Sequence, residues 1–205
     1  IGYPYEGKWH HPDLQVVSMY VDQRPVGDQS VDRGREFGFK VYPTIAETLR
    51  CGGSELAVDA VVVIGEHGEY PDNELGQKQY PRYEFFSACV EVFRASGRSV
   101  PLFLDKHLSW SWDRAIEMVE TSRELGFAFM AGSSLPVTWR TPALDMPLGA
   151  AVREAVCVAY GGVDSYDFHA LETLQCMVER RRDGEKGVKW LQAFQGNAFL
   201  SLIHI

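Results

Sequence analysis

The chain has 205 residues, 45% of them apolar, with a formal charge of -8 and a pI of about 5.2. That is enough apolar material for one full domain and part of a second. The acidic balance excludes a sequence-independent grip on nucleic acid, which needs a basic face to displace counterions, and it disfavours an anionic membrane surface.

No run nears the roughly 18 apolar residues that cross a bilayer. The opening IGYPYEGKWHHPD has none of the basic, apolar and small-residue stages of an export signal, so the expected location is cytoplasmic. It also lacks an initial Met and reads as though it begins inside a longer protein. The last six residues, Leu200 to Ile205 (LSLIHI), are what CTGTCTCTTATACACATC encodes; this resembles a transposon mosaic end used in sequencing libraries, and the tail is read as an artefact. Cys51, Cys89, Cys157 and Cys176 never form CxxC, so they read as buried thiols in a reducing compartment.

Taken in chain order, Leu14 to Val21 (LQVVSMYV) has the short apolar, β-branched character of a buried strand closed by Asp22. Asp28 to Phe37 predicts a helix capped by Gly38. Lys40 to Tyr42 predicts a strand, and Thr44 with Glu47 three residues on forms a capping box for a helix from Ile45 to Cys51. Ala57 to Ile64 (AVDAVVVI) is the clearest strand, apolar on both faces as in a parallel sheet covered by helices on each side. A long polar loop, GEHGEYPDNELGQKQYP, follows at its carboxyl end, where α/β folds place ligands. The pattern then predicts a helix over Arg82 to Ser96, a strand over Val100 to Leu104, a helix over Trp112 to Leu125 and a strand over Phe127 to Ala131. After Pro142 it predicts a strand over Ala151 to Tyr160, a turn at GGVDSYD and a helix over Phe168 to Arg182.

Strands alternating with helices at this spacing predict an α/β fold with a doubly wound parallel sheet, Rossmann-like but lacking its first strand, followed by part of a second α/β domain. The expected division is 1–140 for the nucleotide-binding domain, 141–199 for the partial second domain and 200–205 for the tail.

In this order the segments resemble the Gfo/Idh/MocA oxidoreductases. The likeness is carried by Val16 to Gln23, Arg35 to Gly38 and VYPTIAETL; by VDAVVVIGEHGEY; and by VPLFLDKHLSWSWDRAIEMVETSRELGFAFMAG. It implies an N-terminal Rossmann domain that binds NAD or NADP and a second α/β domain through whose sheet homo-oligomers commonly form. The substrate would be a sugar, polyol or related hydroxylated small molecule.

The family's Glu-Lys-Pro falls on Asp105, Lys106 and His107, with the lysine retained near nicotinamide and substrate. DFHALETL maps the family's catalytic histidine onto His169 and its following acid onto Glu172, with Asp164 or Asp167 replacing an upstream acid. Gly65, Glu66 and His67 would lie on the cofactor side, and His107, Asp167 and Glu172 on the substrate side. No Gly-x-Gly-x-x-Gly precedes Leu14, so this stretch of sequence is expected to be inactive alone.

The chemistry of these residues leaves alternatives open. Asp22, at a strand's carboxyl end, stands where a carboxylate bonds the ribose hydroxyls of NAD and disfavours the extra phosphate of NADP, a preference that nearby Arg24 leaves open; it also fits a solvated turn. Lys106 would polarise a ligand carbonyl or pass a proton, or serve as a surface lysine. His107 beside it would titrate near working pH if unperturbed. His169 would exchange the hydroxyl proton as hydride leaves, with Glu172 orienting the ring or the substrate, or would be a helix N-terminal histidine with no catalytic duty. Trp139 would stack on a sugar face and Arg140 hold a carboxylate, or both would belong to an interdomain hinge. Glu66, His67, Glu69, Asp72, Asn73 and Glu74 crowd one loop but match no zinc spacing, so they read as a substrate loop or lid and no metal is expected. Two rival functions remain: a cofactor-free ligand-binding or assembly protein of the same fold, and a metal-dependent hydrolase using the 66–74 loop.

Overall fold

The computed structural model describes residues 3–194 and 196. The first element is a hairpin that the sequence reading did not anticipate: β1 (Tyr3–Tyr5) pairs antiparallel with β2 (Lys8–His10). Its two turn residues, Glu6 and Gly7, both have positive φ, 48° and 73°. That geometry matches the twist of a tight hairpin, and Gly7 adopts it without steric conflict.

β3 (Ser18–Tyr20) and β4 (Lys40–Tyr42) form a parallel pair with Met19 opposite Val41, joined by α1 (Ser30–Phe37). The Asp28 carboxylate accepts from the Ser30 backbone N–H at 3.1 Å and from the Ser30 hydroxyl at 2.7 Å, a local turn just ahead of the helix. Gly38 ends it in the left-handed region, donating to the Gly34 carbonyl at 2.9 Å. In α2 (Ile45–Leu49) the Thr44 hydroxyl accepts from the Glu47 N–H at 3.1 Å, one half of the capping box, and itself donates to the Glu47 carboxylate at 3.3 Å.

A second parallel sheet, of order β5-β6-β7, carries the core: β5 (Val61–Val63), β6 (Leu102–Asp105) and β7 (Phe129–Gly132), connected through α3 (Arg82–Ser96) and α4 (Trp112–Glu124). Leu102, Leu104 and Met118 are fully buried, and Val63, Phe86, Val90 and Phe93 pack with them. Each such side chain contributes roughly 1.5–3 kcal/mol by leaving water. The fold class is therefore α/β with parallel strands.

The strand expected over Ala57 to Ile64 is corrected in two respects. It is paired only at Val61–Val63, and one of its faces is uncovered: Val62 is 64% and Ile64 66% exposed, with Phe103 and Met130 beside them. The physical reason is that α3 and α4 pack on one face of β5-β6-β7. Likewise Leu14 and Val17, expected within a strand, are exposed, and β3 spans three residues. Among the described residues β3-β4 and β5-β6-β7 are separate open sheets, with β3 an edge of the first and β5 an edge of the second; in the doubly wound order 3-2-1-4-5-6 the first strand lies between the corresponding strands.

Beyond residue 140 the expected strand over Ala151 to Tyr160 is not formed. Val156, Val158 and Tyr160 are almost fully exposed, and the neighbouring pairing is a single bridge between Ala150 and Arg181. Without a partner strand an extended segment has nowhere to satisfy its backbone groups except water. The following helix, α5 (Val163–Val178), begins five residues before Phe168 and ends before Arg180. Its first turn contains Asp164, whose charge suits the positive end of the helix. The tail Leu200 to Ile205 lies outside the described residues. Among those residues no helix is long and apolar enough to cross a membrane.

Candidate functional site

Parallel strands deliver their last residues to one edge of the sheet, and here that edge collects most of the residues singled out from sequence. β5 runs into Gly65 and Glu66, β6 into Lys106 and His107, and β7 into Ser133. Lys106 is held in the left-handed region at φ 68°, a conformation that costs a non-glycine residue roughly 1–3 kcal/mol and tends to occur where function requires it. Its N–H donates to the Gly132 carbonyl at 3.0 Å, and its ammonium forms an ion pair with Glu66, itself largely buried. Asp105 precedes it at the end of β6.

α5 brings the second half of the site. His169 Nδ1 lies 2.5 Å from the Ser133 hydroxyl, and a Glu172 carboxylate oxygen lies 3.3 Å from where a Cβ on Gly132 would stand. Lys106, His169 and Glu172 are thus gathered around the Gly132–Ser133 step. Phe168 sets its ring edge-on to His107 at 5.6 Å, and Asp164 accepts from the Lys78 backbone N–H at 3.1 Å, tying α5 to the 65–81 loop. Asp167 is exposed on the same helix. An open cleft of about 590 Å³ adjoins this group, between Gly76, Gln77, His107, Trp110 and the α5 start at Gly162–Asp164.

Arg82 is the charged residue at the centre of this edge that the sequence reading missed. It opens α3, is 2% exposed, and sets its guanidinium 4.9 Å over the Tyr80 ring. Burial lowers its pKa from the ordinary value, while the charges of Glu66, Tyr80, Asp105 and Asp164 act to raise it. A cation at a helix N-terminus opposes the helix dipole, so these surrounding carboxylates are what makes the position tolerable. Gly65 has a role in this: a Cβ there would stand 3.2 Å from Arg82 Cγ, so the glycine makes room for the arginine's stem. In sequence an arginine opening a helix after a polar loop looks like any surface arginine, and no periodicity marks it.

His107 corrects an expectation. It lies with its ring nitrogens 3.2 and 3.4 Å from Arg82 Nη1, and burial, followed by that guanidinium, pushes its pKa down to about 4. It is therefore neutral near neutral pH and does not titrate there.

Asp22 lies beyond β3 and is engaged on both oxygens. Tyr20 and Tyr70 each donate a phenolic O–H to it at 2.7 Å. His67 is exposed, with Nε2 3.2 Å from a Glu66 oxygen. Trp139 and Arg140 engage other partners, although Arg140 Nη2 also lies 3.9 Å from Cys176 Sγ of α5. Trp139 sits 6.0 Å from Tyr5 of the hairpin, and Arg140 is occupied by an ion pair with Asp145 and by the carbonyls of Leu144 and Pro136, each at 3.1 Å. Within the acidic loop, Asp72 pairs with Lys78 at 2.9 Å and Asn73 bonds Gln77 at 2.8 Å. Among the described residues no group of three or more His, Cys, Asp or Glu side chains converges as a metal site.

The residues that could hold parts of a dinucleotide are a carboxylate after β3, Asp22, a glutamate after β5, Glu66, and a lysine after β6, Lys106. The described residues offer no glycine-rich turn for its pyrophosphate. No family model matches the chain, and no curated protein matches it. Among solved structures the chain is similar to "the putative dehydrogenase from Bordetella bronchiseptica RB50", at 24% identity and a TM-score of 0.44, over 62% of this chain and 28% of that one.

Proposed function

We propose that the chain is part of an NAD(P)-dependent oxidoreductase resembling the Gfo/Idh/MocA enzymes, acting on a sugar, polyol or related hydroxylated molecule. The observation that carries this reading is the gathering of Lys106 and His169 around Gly132–Ser133 at the carboxyl edge of parallel strands. That edge is where open α/β sheets bind ligands.

In this reading a nicotinamide held at this edge would supply the hydride acceptor. His169, with Nδ1 fixed by Ser133, presents its other ring nitrogen to the substrate hydroxyl and takes its proton. Lys106, aimed by its left-handed backbone and by Glu66, stabilises the developing charge on the substrate oxygen. Glu172 beside Gly132 orients the substrate. Asp22 bonds the ribose and favours NAD over NADP.

Calorimetric titration of NAD and NADP into the intact protein tests this. Micromolar NAD binding that Asp22→Ala weakens supports the reading; no binding of either nucleotide refutes it and favours the cofactor-free ligand-binding alternative.

A further inference from the structure

This inference rests on the reading of Asp22 as the ribose carboxylate. The loop after β5 is strapped onto the end of β3 by contacts that involve just these two segments. Tyr70 donates to one Asp22 oxygen while Tyr20 donates to the other. The neighbouring Gln23 grips the Glu69 main chain twice: the Glu69 N–H donates to Gln23 Oε1 at 2.8 Å, and Gln23 Nε2 donates to the Glu69 carbonyl at 3.2 Å. Gly68, at φ 129°, permits the fold-back, since a Cβ there would fall 2.7 Å from Tyr70 Cε2 and 2.9 Å from Gln23 Oε1. The Tyr70 ring rests edge-on against Tyr80 at 5.8 Å. Burial, reinforced by Asp22, pushes both phenols up, Tyr20 to about 12 and Tyr70 higher still, so both remain hydrogen-bond donors at working pH.

The two tyrosines are mounted differently. Tyr20 belongs to β3 and has its ring against Phe85 of α3 at 5.9 Å, so the sheet and helix layer fix it. Tyr70 belongs to a loop whose flanking residues, Glu69 and Pro71, are exposed. A ribose diol bridging both carboxylate oxygens would compete with both phenols, and Tyr70 is the one that can leave.

We propose that Tyr70 is a latch: its hydroxyl occupies the place on Asp22 that a ribose hydroxyl takes, so the strap must lift before nucleotide binds. The observed affinity is then the intrinsic affinity reduced by the fraction of molecules with the loop lifted.

The test is titration of NAD into the intact protein and its Tyr70→Phe, Tyr20→Phe and Gln23→Ala variants, with amide hydrogen exchange read over residues 66–74. Tyr70→Phe keeps the ring on Tyr80 and removes a bond to a charged group, and it is expected to bind NAD about tenfold tighter or more. Gln23→Ala loosens the same strap from the β3 side and shifts affinity in the same direction, whereas Tyr20→Phe does not tighten binding. NAD is expected to speed exchange at the strap in the unaltered protein. Unchanged or weaker binding by Tyr70→Phe, with NAD still bound by the unaltered protein, overturns the latch alone. No NAD binding by the unaltered protein and Tyr70→Phe alike overturns the nucleotide reading of Asp22, and the latch with it.

Discussion

His107 is expected to make the fold acid-sensitive in a definite window. In the folded protein its ring is wedged between Arg82 of α3 and Phe168 of α5, with Asp164 and Lys106 also acting on it, and burial and Arg82 hold its pKa near 4. In the unfolded chain a histidine titrates at about 6.5. Between those values the unfolded state binds a proton that the folded state refuses, so stability rises with pH there: the contribution is full above about 6.5 and is lost as pH falls towards 4. At pH 5 the imbalance amounts to at most about 2 kcal/mol, from the two titration curves and 1.36 kcal/mol per pKa unit. Urea denaturation at pH 8 and pH 5, on the unaltered protein and on His107→Gln, isolates it. The packing lost in the variant is the same at both pH values and cancels from the difference. His107→Gln should lose about 2 kcal/mol less between pH 8 and pH 5 than the unaltered protein. Equal losses in both would refute the argument, because they would mean that the ring takes up its proton inside the fold as readily as outside it.

Two further substitutions probe how the site is supported. Gly65→Ala places a methyl 3.2 Å from Arg82 Cγ and 3.6 Å from Phe85 Cδ2 in a buried position, and overpacking of this kind should destabilise the protein by roughly 1–3 kcal/mol; an unaltered melting temperature would show that Arg82 has room to move. Thr44→Ala removes the hydroxyl that accepts the Glu47 N–H and should lower stability by about 1 kcal/mol in urea denaturation. No change there would mean that packing alone holds the short α2.

Local chemistry made much of the fold legible. Gly38, Gly97 and Gly126 stand after their helices in the left-handed region, and the Thr44–Glu47 cap, α3 and the start of α4 are where sequence placed them. Elements that depend on a neighbour were less legible. AVDAVVVI is apolar on both faces whether or not anything covers them, so composition could not show that Val62 and Ile64 face water. Ala151 to Tyr160 has strand character but no strand beside it.

The candidate site divides in the same way. Lys106, Glu66, His169 and Glu172 follow strands or match a motif, which is why the sequence singles them out, and the structure brings them near one another. Arg82, Ser133 and Tyr70 matter through contacts spanning 25, 36 and 48 residues respectively. No local pattern records such distances. Trp139 and Arg140 had suitable chemistry, but their ring and ion-pair partners are Tyr5 and Asp145.

The uncovered face of β5-β6-β7 sets a colloidal property of the molecule. Val62, Phe103 and Met130 lie in register across three strands with Ile64 next to them, and among the described residues no strand pairs with the outer edges of β3 and β5. Apolar area beside open strand edges is what lets one chain recruit another. The formal charge of -8 opposes that encounter at long range, and dissolved salt shortens the reach of the repulsion to about 10 Å at 0.1 M. Raising ionic strength is therefore expected to move this chain from a dispersed towards a clustered population at fixed concentration.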